Sequence, residues 1–136
     1  MIVHDEVIPR PEQFKEFLET EGPVLMVNLL KFKDRAEYAD GRDAELSGRE
    51  AYMRYAVEMR KLVEAAGGRF VFSSTVVGLL LGRVEELWHE VGIVEYPSAA
   101  TLVEIATSAA YAKIDEHRSA GLAGQLNLTT TASEMK

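Results

Sequence analysis

The stretch PVLMVNLLKFK, residues 23–33, is the most apolar run in the first half of the chain. It reads as a β-strand from Val24 to Phe32, with one residue out of place, Asn28. A buried amide without a partner costs roughly 1–3 kcal/mol, so Asn28 must bond to protein, to water or to a ligand. Both alternating faces of this strand are apolar apart from Asn28, which implies that both are covered. Leu25, Val27 and Leu29 are assigned to the helix side. Met26, Asn28 and Leu30 are then assigned to the far side.

Around this strand the other elements fall into order. Residues 1–10 read as an extended lead-in, and Pro11 opens a short helix to about Glu19, which Gly22-Pro23 ends. Asp34 to Leu46 is polar, with Asp40-Gly41 as a turn signal. Ser47 and Glu50 fit a capping box for the next helix. Tyr52, Tyr55, Ala56, Met59, Leu62, Val63 and Ala66 form one apolar stripe on it, and Gly67-Gly68 stops it. Arg69 to Leu81 reads as a long strand, irregular at Ser73-Ser74 and Gly78. Gly82 to Glu86 connects it to a strand from Trp88 to Tyr96. Ser98 caps a helix, Thr107-Ser108 breaks it, and a second piece runs from Ala109 to Ser119, with Gly121 as its stop. Leu122 to Thr130 is the last strand, and Thr131 to Lys136 a frayed tail.

The pattern after the opening helix is β-α-β-β-α-β. It predicts a single α+β domain over residues 1–136, ferredoxin-like, with a four-stranded antiparallel sheet and two helices on one face. The far face is then expected to show Met26, Asn28, Leu30, Trp88, Glu90, Val94 and Tyr96, with Val91 and Ile93 under the helices. An apolar sheet face on a soluble domain marks an interface or a binding site, and a homodimer packed sheet to sheet is the expectation.

Composition narrows the function. The 136 residues are 47% hydrophobic and 27% charged, as in an ordinary globular domain. The net charge of -7, with basic residues scattered, argues against nucleic acid and against an anionic membrane surface. No cysteine is present, so disulfides and thiolate chemistry are excluded. The N-terminal residues do not read as a signal peptide, and a cytoplasmic location is expected. The histidines stand at 4, 89 and 117, without ligand spacing, so no metal and no cofactor is expected. A haem would need an axial ligand, and His117 is the only candidate.

Several stretches resemble the DUF1330 family: PVLMVNLLKFK, Ser-Gly-Arg-Glu-Ala-Tyr at 47–52, Ala-Gly-Gly-Arg at 66–69, Glu95-Tyr96-Pro97-Ser98, and the run His117-Arg118-Ser119-Ala120-Gly121-Leu122. The resemblance covers about residues 22–130. It implies the dimeric α/β-barrel superfamily, whose members include cofactor-free monooxygenases, haem-dependent enzymes, muconolactone isomerase-like proteins and polyketide cyclases. It implies no particular activity.

The candidate ligand-binding residues are Asn28, Trp88, Glu90, His117 and Arg118. Asn28 would bond a ligand carbonyl or hydroxyl, or else pair with another strand or a partner subunit. Glu90 is a candidate acid or base if an apolar cavity raises its pKa, and otherwise a solvated or Arg-paired carboxylate. His117 is a candidate base, or binds a carboxylate together with Arg118, or else caps its helix. Tyr52 and Tyr55 read as core residues, and Arg69 as a salt-bridge partner. The expected function is binding of a small organic molecule between sheet and helices. If the protein is an enzyme, it would act on an aromatic or carbonyl compound by proton transfer or cofactor-free oxidation. The alternative is a non-catalytic dimerisation or ligand-binding module in which Asn28 fixes the register.

Overall fold

A computed structural model describes residues 4–133. The start of the lead-in and the end of the frayed tail lie outside the described residues. The elements are α1 (Pro11–Leu18), β1 (Val24–Phe32), α2 (Gly48–Ala65), β2 (Arg69–Thr75), β3 (Glu90–Tyr96), α3 (Ala99–Ala106), α4 (Ala109–Gly121) and β4 (Leu122–Thr130). The four strands form one sheet in the order β2-β3-β1-β4, with all three pairings antiparallel. This is the ferredoxin-like arrangement the element order predicts.

The local signals explain the boundaries. Pro11 stands at the first position of α1. Ser47 Oγ accepts from the Glu50 N–H, and the Glu50 carboxylate accepts from the Ser47 N–H, closing the capping box of α2. Gly67 takes a left-handed φ of 88° just past α2. Ser98 and Ser108 cap α3 and α4 through their hydroxyls. Gly121 has a different task from the expected helix stop. A Cβ there would stand 2.3 Å from the Gly48 carbonyl oxygen, so this glycine lets α4 press its backbone against the start of α2.

The second hairpin departs from expectation. β2 ends at Thr75 rather than near Leu81, and β3 starts at Glu90 rather than Trp88. The register shift lies between Phe70 and Phe72, earlier than Ser73. Residues 76–89 form an arm without regular structure, bearing Val77, Leu80 and Leu81 almost fully exposed. An apolar run without a partner strand has no ladder to extend, so its β-propensity alone does not make it a strand.

The face assignment is also corrected. Val24, Met26 and Tyr96 pack with Tyr55, Met59 and Val63 of α2 and with Ile105 of α3. Pairing places Asn28 beside Gly92, and Leu30 beside Glu90, on this same helix-covered side. Leu25, Val27 and Leu29 instead share the outer face with Val91 and Ile93 of β3 and with Leu126 and Leu128 of β4. Alternation groups residues into two faces; it does not say which is inside when both are apolar. Asn28 and Glu90 were expected on the far face once Leu25, Val27 and Leu29 were assigned to the helices. Here they stand over a hollow.

Candidate functional site

Between the sheet and the helices lies a cavity of about 500 Å³, lined by Met26, Asn28 and Leu30 of β1, by Glu90, Gly92, Val94 and Tyr96 of β3, and by Tyr52 and Tyr55 of α2. Tyr111 and Arg118 of α4 and Gln125 of β4 complete its polar side. A smaller hollow of about 370 Å³, walled by the lead-in and α1, adjoins it and shares Met26, Arg118 and Gln125. His4 and Glu6 sit on the lead-in side of that hollow.

The polar groups are ordered by one chain of hydrogen bonds. Arg118 Nη2 donates to the Val7 carbonyl at 2.6 Å and to Gln125 Oε1 at 2.6 Å. Gln125 Nε2 then donates to Asn28 Oδ1 at 2.6 Å. Asn28 Nδ2 finishes the chain with longer bonds, 3.3 Å each, to the carbonyls of Met26 and Gly92. Because a guanidinium can only donate, its contact fixes both amide orientations in turn. The partner of Asn28 is therefore its own chain, across both neighbouring strands. It lines the cavity with its hydrogen bonds already in use.

Three phenols face the same space. Burial pushes the Tyr52 hydroxyl up to about 12, against the opposing pull of the Arg118 charge. Burial also raises Tyr55 and Tyr111, and in each the Arg118 charge again opposes the shift. All three are neutral hydrogen-bond donors at ordinary pH. Their rings pack in sequence, Tyr52 to Tyr55 at 5.3 Å and Tyr55 to Tyr111 at 6.0 Å. Tyr52 and Tyr55 were expected as core residues with outward hydroxyls; both are packed with the core, and both line the cavity. Gln125 was missed; its register opposite Leu30, next to Asn28, is visible only once β4 is paired.

The five candidate residues separate into two sets. Asn28, Glu90 and Arg118 line one cavity. Glu90 is nevertheless engaged: Arg49 Nη1 donates to it at 2.8 Å, and Thr75 Oγ1 at 3.2 Å. Trp88 precedes β3 and packs over Gly124, where an added Cβ would meet its ring at 3.1 Å. The glycine makes room for the indole at the end of the sheet, away from the cavity. His117 points to the other side of α4. Its Nδ1 is 2.6 Å from the Tyr38 hydroxyl. Arg54 donates to that hydroxyl at 3.3 Å and to Asp43 at 2.9 Å, and the Arg42 guanidinium lies 4.2 Å over the Tyr38 ring. This clasp holds residues 34–46 against α2 and α4. Arg118 and His117 are neighbours in sequence and serve opposite sides of one helix. His89 accepts from the Phe32 N–H, and Arg69 pairs with Glu95. Among the described residues, no group of three or more His, Asp or Glu side chains is arranged to hold a metal ion, and no helix is long and apolar enough to cross a membrane.

With a four-stranded ferredoxin-like sheet and a helix-covered cavity established, similarity to known proteins becomes specific. The family model described as Domain of unknown function (DUF1330) matches residues 42–131, and the chain belongs to that family. RPA0582, a protein of unknown function from Rhodopseudomonas palustris, has a similar structure, with a TM-score of 0.85 at 30% identity over 96% of this chain and 99% of that one. At3g17210 from Arabidopsis thaliana shares the fold, with a TM-score of 0.59 at 14% identity over 83% of this chain and 98% of that one. So does a dimeric ferredoxin-like protein of unknown function from Jannaschia sp. CCS1, with a TM-score of 0.52 at 10% identity over 82% of this chain and 100% of that one. No curated protein matches.

Proposed function

We propose that this protein is a homodimer that binds a small organic molecule in the cavity between its sheet and its helices. The observation that carries the binding reading is Gly92. It lies mid-strand in β3 and lines the cavity, and a Cβ added there would meet nothing within 4 Å. Glycine in a strand interior weakens the strand, and it is common where a ligand approaches the backbone closely. Here nothing in the protein needs that space. The remaining lining is mostly apolar and aromatic with a few converging polar groups, the ordinary make-up of a small-molecule site.

The outer face supports the homodimer. Leu25, Val27, Leu29, Val91, Ile93, Leu126 and Leu128 make it apolar without helix cover, and the 76–89 arm adds three almost fully exposed aliphatic side chains. A second copy supplies matching apolar surface, and the Jannaschia protein of the same fold is dimeric. Asn28 plays no part in that contact, because it faces the other way.

If the bound molecule reacts, the groups suit proton transfer beside a carbonyl. The Arg118 charge and the Tyr52 phenol would stabilise an enolate, and one of the lining carboxylates, Glu90 or Asp115, would take the proton that its formation releases.

A thermal-shift panel of small aromatic acids and lactones, run on the wild type and on Gly92→Val, tests the site. The substitution fills open space in a strand that favours β-branched residues, so the fold should hold. A ligand at 100 times its Kd stabilises the wild type by about 2.7 kcal/mol and should leave Gly92→Val nearly unshifted. A ligand that stabilises both equally binds elsewhere and removes the cavity from the account.

A further inference from the structure

We infer that the cavity ligand is an organic carboxylate with an apolar body, and that Arg118 is its counter-ion. The inference rests on the binding reading above and adds the chemical class. It follows from the charges in the cavity wall. Four charged residues line it: Arg60, Glu90, Asp115 and Arg118. Arg60 is held by Glu64 at 2.7 Å, and Glu90 by Arg49 at 2.8 Å. Arg118 is different. Its side chain is 15% exposed, and the carboxylate nearest to it among the described residues, Asp115, stands at 4.0 Å from Nη1 and is itself half in solvent.

A guanidinium withdrawn from water without a close anion is costly, and neutral acceptors such as the Val7 carbonyl and Gln125 Oε1 offset only part of that cost. An incoming carboxylate would supply the missing charge. The geometry suits it. Both short bonds of Arg118 leave from Nη2. Nη1 carries two further N–H donors, so it can form a charge-assisted bond to an incoming carboxylate. The Gln125–Asn28 relay holds the guanidinium in place, so the side-chain ordering is done before the ligand arrives. The Tyr52, Tyr55 and Tyr111 rings give an apolar body a surface to lie on; the Tyr55 and Tyr111 hydroxyls are engaged with Tyr111 and Asp115, and the Tyr52 hydroxyl is a further donor to an anion.

Isothermal titration with a matched pair of probes tests this: naphthalene-2-carboxylate and 2-naphthylmethanol. They share one ring system and differ in the charged group. The wild type should bind the carboxylate about 10- to 100-fold more tightly, the range for a charge-assisted contact. In Arg118→Met the two affinities should converge, with alcohol binding within about twofold of wild type. If Arg118→Met does not fold, Arg118→Gln keeps a polar donor and loses the charge, and carboxylate affinity alone should fall. Equal affinity of both probes for the wild type overturns the carboxylate assignment and leaves the cavity reading standing. A preference that survives at Arg118→Met or Arg118→Gln also overturns it. Failure of the wild type to bind either probe removes both.

Discussion

Both faces of the sheet are largely apolar, and its amide side chains stand on the covered one. The face under the helices carries Asn28, Glu90, Gln125 and Asn127, and the face without helices carries Leu25, Val27, Leu29, Val91, Ile93, Leu126 and Leu128. An antiparallel sheet that stops at one layer of helices normally puts its apolar residues inward and its polar ones outward. Here the covered face keeps polar groups because part of it borders a hollow, where Gln125 donates to Asn28 and Asn28 to the Met26 and Gly92 carbonyls. The bare face is apolar, which the proposed homodimer would account for. One sheet thus separates two kinds of surface, an inner one organised by hydrogen bonds and an outer one suited to a second copy.

The strongest way to break this contrast is a charge on the outer face. Leu128 is 48% exposed in the single chain, so Leu128→Asp should change its folding stability by no more than about 0.5 kcal/mol. In a homodimer the same carboxylate would be buried without a partner, at about 3–5 kcal/mol. The dimer Kd should therefore weaken at least 100-fold, read by sedimentation at micromolar concentration. A wild type that already sediments at the chain mass of 15.1 kDa would end the dimer proposal.

The inner face gives a smaller effect. Asn28→Leu removes the acceptor of the 2.6 Å bond from Gln125 Nε2. A half-buried donor left unpaired should cost about 1–3 kcal/mol in urea unfolding. Gln125→Leu should cost a similar amount, and the double variant should cost less than the sum by about 1 kcal/mol, because the two share one bond. Additive losses would mean that Asn28 and Gln125 act independently, and the relay that holds Arg118 would not exist.

This contrast also shows how far the sequence could be read. Element order, the Ser47–Glu50 cap and the stripe Tyr55, Met59, Val63 depend on local chemistry and helical period, so they were legible. The inside of the sheet was not, because period two separates two faces without ranking them. Asn28, Glu90 and Arg118 could be picked out as unusual residues, and the structure brings them to one cavity. Trp88 and His117 looked equally suitable. Their positions are decided by long-range partners, Gly124 for the indole and Tyr38 for the imidazole, which lie 36 and 79 positions away (124 less 88; 117 less 38). Glu90 was open to either reading until its partner Arg49, on another element, was seen.

The least disruptive test leaves the sequence intact and changes only pH. The Tyr52 phenol titrates at about 10.0 when free and about 12 in the folded protein, with burial as the main cause. Tyr55, Tyr96 and Tyr111 are raised for the same reason. Above pH 10 the unfolded chain loses these protons before the folded one does. The folded state then binds more protons, and stability must fall as pH rises. The stabilisation is complete below about pH 10 and is lost on the way through the folded values. Each phenol contributes a slope of up to about 1.4 kcal/mol per pH unit in that window. Urea unfolding should show a plateau at pH 8 to 9 and a steep decline beyond pH 10. Tyr52→Phe should remove about one phenol's share of that slope, while Leu128→Asp, on the other face, should leave it unchanged. Equal slopes in wild type and Tyr52→Phe would mean that Tyr52 is in contact with water, and the inner face would lose its claim to be the dry side of the sheet.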